Sequence, residues 1–237
     1  DVTRRPILET RHLGIDFGGL TAVSDFNIAI GATEIAGLIG PNGAGKTTIF
    51  NLLTNVYKPT RGSVLLDGVA TAGKTTIEVN HMGIARTFQN IRLFSELTVL
   101  ENVKIAFHYH VKYGILESVF RIGRYFKEEE AIEKEAHSLL KVSPLDDTAD
   151  EVAKNLPYGA QRRLEIARAL AAKPKLLLLD EPAAGMNPQE TKELMDMIRW
   201  IRQEFGLTIL LIEHDMSLVM GICERIYVLE YGEIIAQ

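Results

Sequence analysis

The stretch "GPNGAGKTT" at residues 40–48 is the strongest indication of the fold of this chain. It matches the pattern G-x-x-x-x-G-K-S/T, in which backbone N–H groups surround phosphates, the lysine reaches the outer phosphates and the hydroxyl binds Mg²⁺. The apolar run "EIAGLIG" (34–40) predicts a strand before it, and "KTTIFNLLTNV" (46–56) has apolar residues at helical spacing after it. Because a helix N-terminus attracts anions, this arrangement predicts a phosphate-binding loop.

A second stretch, "GVATAGKTT" at residues 68–76, satisfies the same pattern. The strand-like "SVLLD" precedes it, but "IEVNHMG" after it is short, rich in β-branched residues and broken by Gly83. It also lacks an interior glycine, which would help the backbone to fold around an anion. We therefore predict one functional loop, at 40–48, and a solvated surface position for Lys74.

Strands and helices alternate after residue 160. The continuous apolar runs "KLLLLDEP" (175–182) and "LTILLIEHD" (207–215) are typical of strands buried on both faces of a parallel sheet. Amphipathic helical patterns lie at 162–172 and 189–205. This alternation predicts an α/β sheet, whose ligand site lies at the carboxyl ends of the strands.

Two acids and a histidine stand where these strands end. The run "LLLLD" ends at Asp180, which can hold the same Mg²⁺ as the loop, and Glu181 extends beyond it as a candidate general base for an attacking water. His214 ends the neighbouring strand and should lie near the same phosphate. The alternatives are a helix-capping or surface role for Glu181 and a hydrogen-bonded core position for His214.

The remaining segments differ in character. Apolar alternation predicts strands at 7–17 and 21–30, with a hairpin between them, and a further hairpin within 225–237. Residues 95–156 are charge-rich and have helical periodicity.

Composition excludes several classes of protein. The chain has 237 residues and a net charge of −5, which argues against a nucleic-acid binder built on a basic surface. Its one cysteine, Cys223, excludes an internal disulfide and fits a reducing compartment. Since "DVTRRPILETRH" (1–12) has no apolar signal segment and no apolar run is long enough to span a bilayer, we expect a cytosolic chain that reaches a membrane only through a partner.

Five motifs together resemble the nucleotide-binding subunit of ABC transporters. They are, in the order and spacing of that family, "GPNGAGKTT", "TFQN", "LPYGAQRRLEIARAL", "LLLLDEP" and "LLIEHD". The resemblance covers nearly the whole chain. Within the family, "RTFQNIRLFSELTVLENV" and "DEPAAGMNP" look most like the ATPase subunits of branched-chain amino acid importers.

The resemblance implies a P-loop NTPase of the ABC-ATPase fold, which is α/β with a RecA-like core, an N-terminal antiparallel β subdomain and an inserted helical subdomain. The core would comprise 1–89 and 161–237, and the helical signature subdomain 90–160. The implied function is ATP hydrolysis that drives transport through a separate membrane permease. The alternatives are the ATPase of another ABC transporter, such as a lipid or lipopolysaccharide exporter, and a soluble non-transport ABC ATPase, which the net charge of −5 and the single cassette disfavour.

The resemblance also implies site residues for ATP and Mg²⁺. Gln89 would sense the metal and the water, and Phe17 would stack on adenine, although Phe17 could equally be a strand core residue. Metal contacts would come from Thr47, Gln89 and Asp180. The expected ATP contacts are Phe17, Gly40, Pro41, Asn42, Gly43, Ala44, Gly45, Lys46, Thr47, Thr48, Asp180 and, from the signature segment, Gly159.

The signature segment "LPYGA" (156–160) departs from the family's usual L-S-G-G-Q. Pro157 has no hydroxyl and no backbone N–H to donate to the facing nucleotide. Asn187 replaces the aspartate usual in the loop that crosses the dimer. The resemblance implies a homodimer or a heterodimer with a sister ATPase, integral membrane permease subunits, an indirect link to a solute-binding protein, no nucleic acid, and a cytoplasmic place on the inner face of the membrane.

Overall fold

The computed structural model describes residues 5–110, 122–142 and 145–237. Its chain divides into two compact units, one formed by Asp1–Gln89 and Pro174–Gln237 and the other by Asn90–Lys173.

An antiparallel sheet of five strands occupies the N-terminal part of the first unit. Its strand order is β2-β1-β5-β6, with β3 also paired to β1. Gly18 and Gly19, with φ of 53° and 92°, form the turn between β1 and β2, as the sequence predicts. The strands are β1 (Pro6–Phe17), β2 (Leu20–Phe26), β3 (Ala29–Gly31), β5 (Arg61–Leu66) and β6 (Val69–Ala70).

A second sheet of six strands carries the carboxyl edge at which the candidate site lies. Its order is β11-β10-β4-β9-β8-β7, and all pairs are parallel except the terminal hairpin β10–β11. Every residue of β8 and β9 is buried, which accounts for their continuous apolar sequences. The strands are β4 (Ile35–Ile39), β7 (Ile84–Arg86), β8 (Leu176–Asp180), β9 (Thr208–Ile212), β10 (Arg225–Glu230) and β11 (Glu233–Ala236).

Four helices belong to the first unit: α1 (Lys46–Leu53), α2 (Thr76–His81), α6 (Pro188–Phe205) and α7 (Met216–Ile222). The apolar side of α1, including Ile49 and Leu53, is buried in the core with the strands of both sheets. A capping box between Asn187 and Glu190 starts α6, and Gly206 ends it with a φ of 60°. The α/β fold expected from the sequence is thereby confirmed.

The second unit contains α3 (Val99–His110), α4 (Ile122–Val142), α5 (Tyr158–Leu170) and two short 3-10 turns. The boundary predicted between 160 and 161 falls near the start of α5, whereas this unit continues to Lys173. The reason is that α5 packs against α3 and α4 and buries Leu164 and Ile166. None of the described helices is both apolar enough and long enough to cross a bilayer.

Candidate nucleotide-binding site

The loop between β4 and α1 has the geometry of a phosphate-binding loop. Gly40 cannot carry a side chain, because a Cβ there would collide with the carbonyl oxygen of Leu229. Gly45 is the N-cap of α1, has a φ of 102° and supplies no side-chain cap. The first N–H groups of α1 therefore have no side-chain acceptor and can bind an anion.

Lys46 is folded over its own loop. Its Nζ donates to the carbonyl oxygens of Gly40 and Pro41 at 2.6 and 2.8 Å, and the residue is 6% exposed. Burial lowers the pKa of Lys46, and the charges of Glu181 and Asp180 act in the opposite direction.

The other loop residues differ in exposure. Thr47, in the first turn of α1, is exposed to solvent, whereas Ala44 is packed in the core. Pro41, Asn42, Gly43 and Thr47 are exposed, Gly40, Gly45 and Thr48 are half-buried, and Ala44 is buried.

Glu181 joins two other predicted catalytic residues. Its Oε1 lies 2.9 Å from Nε2 of His214, and its Oε2 accepts a hydrogen bond from Nε2 of Gln89 at 2.6 Å. Its backbone has a φ of 45°, a left-handed conformation that is rare outside glycine and frequent at functional sites. The fold thus brings together three side chains that are far apart in the sequence.

Asp180 is held by an arginine that sequence reasoning missed. Its Oδ2 accepts from Nη2 of Arg86 at 2.9 Å, and both side chains are less than a tenth exposed. Nη1 of Arg86 donates to Oδ1 of Asn51 at 2.7 Å, and the guanidinium lies 5.3 and 5.0 Å from the ring centroids of Phe50 and Phe88. No local pattern signals a pair 94 residues apart.

Glu213 is a second residue that the sequence analysis did not select. Its carboxylate accepts hydrogen bonds from the backbone N–H groups of Ala183 and His214. Burial raises the pKa of Glu213, and the charge of Glu181 acts in the same direction. An acid directly after a buried apolar strand was the available signal.

Phe17 ends β1 and is 44% exposed, so it does not occupy the core position that was its alternative. Its ring meets the ring of Tyr57 edge to face, with 5.3 Å between the centroids. Two aromatic rings at the surface can provide a stacking platform for a planar base.

The signature segment lies in the second unit. Pro157 is the N-cap of α5 and supplies no side-chain hydrogen bond, and Gly159 is buried in the first turn of this helix. Because the cap has no side-chain acceptor, the N-terminus of α5 keeps unpaired N–H groups and a positive dipole end.

The second G-x-x-x-x-G-K-S/T match is built differently. Gly68 belongs to the turn before the edge strand β6, so the two residues after this glycine, Val69 and Ala70, are strand rather than loop. Asn55 binds to this segment by donating to the carbonyl oxygens of Thr71 and Lys74 at 2.7 and 3.1 Å. A capping box between Thr75 and Glu78 already binds the N-terminus of the six-residue helix α2.

The donor set suits Mg²⁺ bound together with a nucleotide. Thr47, Asp180 and Gln89 offer hydroxyl, carboxylate and amide oxygens, which Mg²⁺ prefers. Among the described residues, no three His, Cys, Asp or Glu side chains form a metal cluster. The Arg86 pair occupies Oδ2 of Asp180 alone.

Similarity to known proteins identifies the family to which the chain belongs. A family model described as "ABC transporter" matches residues 23–184. The high-affinity branched-chain amino acid transport ATP-binding protein LivG of Escherichia coli K12 is 48% identical over 229 residues, which cover 96% of this chain and 89% of that protein.

Solved structures agree. MJ1267, an ATP-binding cassette of an ABC transporter in its ADP conformation, superposes with a TM-score of 0.84 at 34% identity, covering 98% of this chain and 90% of that one. The dimeric cassette MJ0796 has a TM-score of 0.79 at 27% identity, covering 97% of each chain. The resemblance drawn from the five motifs is confirmed, and the chain belongs to the ABC transporter family.

Proposed function

We propose that this chain is the ATP-hydrolysing, energy-coupling subunit of an ABC importer for branched-chain amino acids. The observation that carries the proposal is the contact of Glu181 with both His214 and Gln89 at the carboxyl edge of the parallel sheet. At the same edge, β4, which is paired with β9, leads into the phosphate loop. The relative named as a branched-chain amino acid transport ATP-binding protein supports the cargo.

Residues of the first unit bind ATP. Lys46 exchanges the carbonyl oxygens of Gly40 and Pro41 for phosphate oxygens, which are stronger partners because they carry negative charge. The uncapped N–H groups at the start of α1, with Thr48, hold the same phosphates. Phe17 stacks on the adenine from its exposed position at the end of β1.

Glu181 is the general base. It accepts a proton from the water whose oxygen bonds to the γ-phosphorus, as the bond from that phosphorus to the bridging oxygen breaks and ADP leaves. Each carboxylate oxygen has two lone pairs, so the contacts to His214 and Gln89 orient the group and leave room for a water proton. Such a base contributes about 10²–10⁴ in rate.

Thr47, Asp180 and Gln89 would hold Mg²⁺. When bound, the ion neutralises charge that develops between the outer phosphates. Arg86 fixes the orientation of Asp180 through Oδ2, so that the other carboxylate oxygen can face the ion.

The active unit contains two chains, either a homodimer or a heterodimer with a sister ATPase. A dimeric cassette among the matching structures supports this assembly. Gly159 and the uncapped N-terminus of α5 approach the nucleotide of the facing chain. The helix dipole there acts in place of the serine hydroxyl, because Pro157 stands where the family usually has serine. The dimer works on the cytoplasmic face of the membrane with permease subunits, and a solute-binding protein delivers the cargo to them.

The test is co-purification of the chain with its membrane subunits from the cells that make it, followed by reconstitution in vesicles. We expect ATP-dependent uptake of leucine, isoleucine and valine, and no uptake when Glu181→Gln replaces the wild-type chain. ATP-dependent extraction of a lipid, or uptake of an unrelated solute alone, would contradict the proposed cargo.

A further inference from the structure

Glu213 connects two segments that leave neighbouring strands. It follows β9 directly and is 3% exposed. Its Oε1 accepts from the backbone N–H of Ala183 at 2.7 Å, in the segment that leaves β8. Its Oε2 accepts from the backbone N–H groups of His214 and Asp215 at 3.0 and 3.4 Å. One carboxylate therefore ties the segment after β8 to the segment after β9.

The environment of Glu213 suits a functional acid better than a structural one. Backbone N–H groups oppose the effect of burial, but burial and the charge of Glu181 together raise the pKa of its carboxyl. Within the described ranges, no basic side chain forms an ion pair with it. Burying a carboxylate without a cation is unfavourable, and such groups concentrate at functional sites.

The two segments carry the two halves of the proposed catalytic pair. The backbone N–H of Glu181 donates to the carbonyl oxygen of Ile212 at 2.9 Å, and this bond fixes the backbone at the base itself. Glu213 holds the same segment after the base, through Ala183, and also holds His214. Without Glu213, the N–H of Ala183, a residue only 7% exposed, would lose its acceptor.

We propose that Glu213 is a positioning residue for ATP hydrolysis: it holds the segments of Glu181 and His214 at the separation at which their side chains meet. This inference rests on the proposed ATP hydrolysis and adds a residue that does not itself touch nucleotide or water. Its effect is on the geometry of the base and hence on turnover, not on the binding of the phosphates, which other residues hold.

The test compares Glu213→Gln with Glu34→Gln. Glutamine keeps the size of glutamate but replaces one acceptor oxygen with an NH₂ group, which cannot accept from a backbone N–H. Glu34 is a control of similar burial: it is 5% exposed, precedes β4 at the opposite end of the same sheet, and accepts from the backbone N–H of Gly31 at 2.8 Å. Unlike Glu213, it also has a cation partner among the described residues, Arg225, at 3.1 Å.

For Glu213→Gln we expect kcat to fall about tenfold or more, since a buried N–H loses its acceptor, with KM for ATP within about twofold of wild type. Glu34→Gln should change neither value once both are corrected for the folded fraction. Amide hydrogen exchange in Glu213→Gln should accelerate at Ala183 or at His214, whichever faces the new NH₂ group, and at neither residue in Glu34→Gln.

Three results would overturn the proposal: unchanged protection of both the Ala183 and the His214 amides in Glu213→Gln, an equal loss of kcat in both variants, or a rise in KM without a fall in kcat. Failure of the proposed function is a separate outcome, because wild-type protein would then release no phosphate from ATP, whereas the exchange measurement needs no turnover.

Discussion

Arg86 and Asp180 form a buried ion pair whose disruption should destabilise the fold severely. The exposed fractions of the two side chains are 7% and 8%, and 2.9 Å separates the charged atoms. Arg86→Met keeps much of the side-chain volume but leaves a buried, unpaired carboxylate. Breaking such a pair lowers the free energy of unfolding by about 3–5 kcal/mol. The lost contacts of the guanidinium with the rings of Phe50 and Phe88 add about 0.5–1 kcal/mol each.

The assay is urea unfolding of the nucleotide-free protein, with Arg5→Met as the matched control. Arg5 lies 3.0 Å from Asp67, but its side chain is 75% exposed, so its loss should change the free energy of unfolding by no more than about 1 kcal/mol. Adding Asp180→Asn to Arg86→Met removes the unpaired charge and should restore part of the stability. A free energy of unfolding that falls no further in Arg86→Met than in Arg5→Met would exclude a strong buried pair, and so would a double variant less stable than Arg86→Met.

Three further predictions concern the loop, Glu213 and α6. Lys46→Ala should weaken ATP binding at least about tenfold through the loss of charged hydrogen bonds, whereas Lys74→Ala should leave ATP binding unchanged. Equilibrium titration with a fluorescent nucleotide measures both affinities. A loss of affinity in Lys74→Ala but not in Lys46→Ala would show that the phosphate loop is not at 40–48. Because burial raises the pKa of Glu213, its stabilising contribution is present below the ordinary value of 4.5 and is lost as pH rises through the raised value. The free energy of unfolding of wild type minus that of Glu213→Gln should thus fall over this window in urea titrations, and a constant difference would be inconsistent with the raised pKa. Asn187→Ala should lower the free energy of unfolding by about 1 kcal/mol, because the Asn187 side chain caps α6 by accepting from the N–H of Glu190 at 2.9 Å. An unaltered urea midpoint would show that this cap does not stabilise the protein.

The parallel core was predictable because its signals are local. The glycine loop at 40–48 lies between an apolar run and a helical pattern, and residues 176–179 and 209–212 are all apolar. Parallel strands place their carboxyl ends at one edge, so the proximity of Glu181 and His214 follows from topology.

Long-range pairs were not predictable from one sequence. Arg86 and Asp180 meet because β7 and β8 are neighbours in the sheet, and neither residue's local pattern encodes that register. The extent of the helical unit depends on the packing of α5 with α3 and α4, which amphipathic periodicity alone does not specify. The capping box of Thr75 and Glu78 was a local signal, and it explains why α2 forms despite its β-branched residues.

Glu181 is proposed as the residue that activates water for ATP hydrolysis at this site. The most direct measurement is phosphate release by Glu181→Gln beside equilibrium ATP binding, with Glu204→Gln, an exposed residue of α6, as control. We predict that turnover of Glu181→Gln falls by about 10²–10⁴ while its ATP affinity stays within about twofold of wild type, and that the control changes neither value. Near-normal phosphate release by Glu181→Gln would exclude Glu181 as the general base.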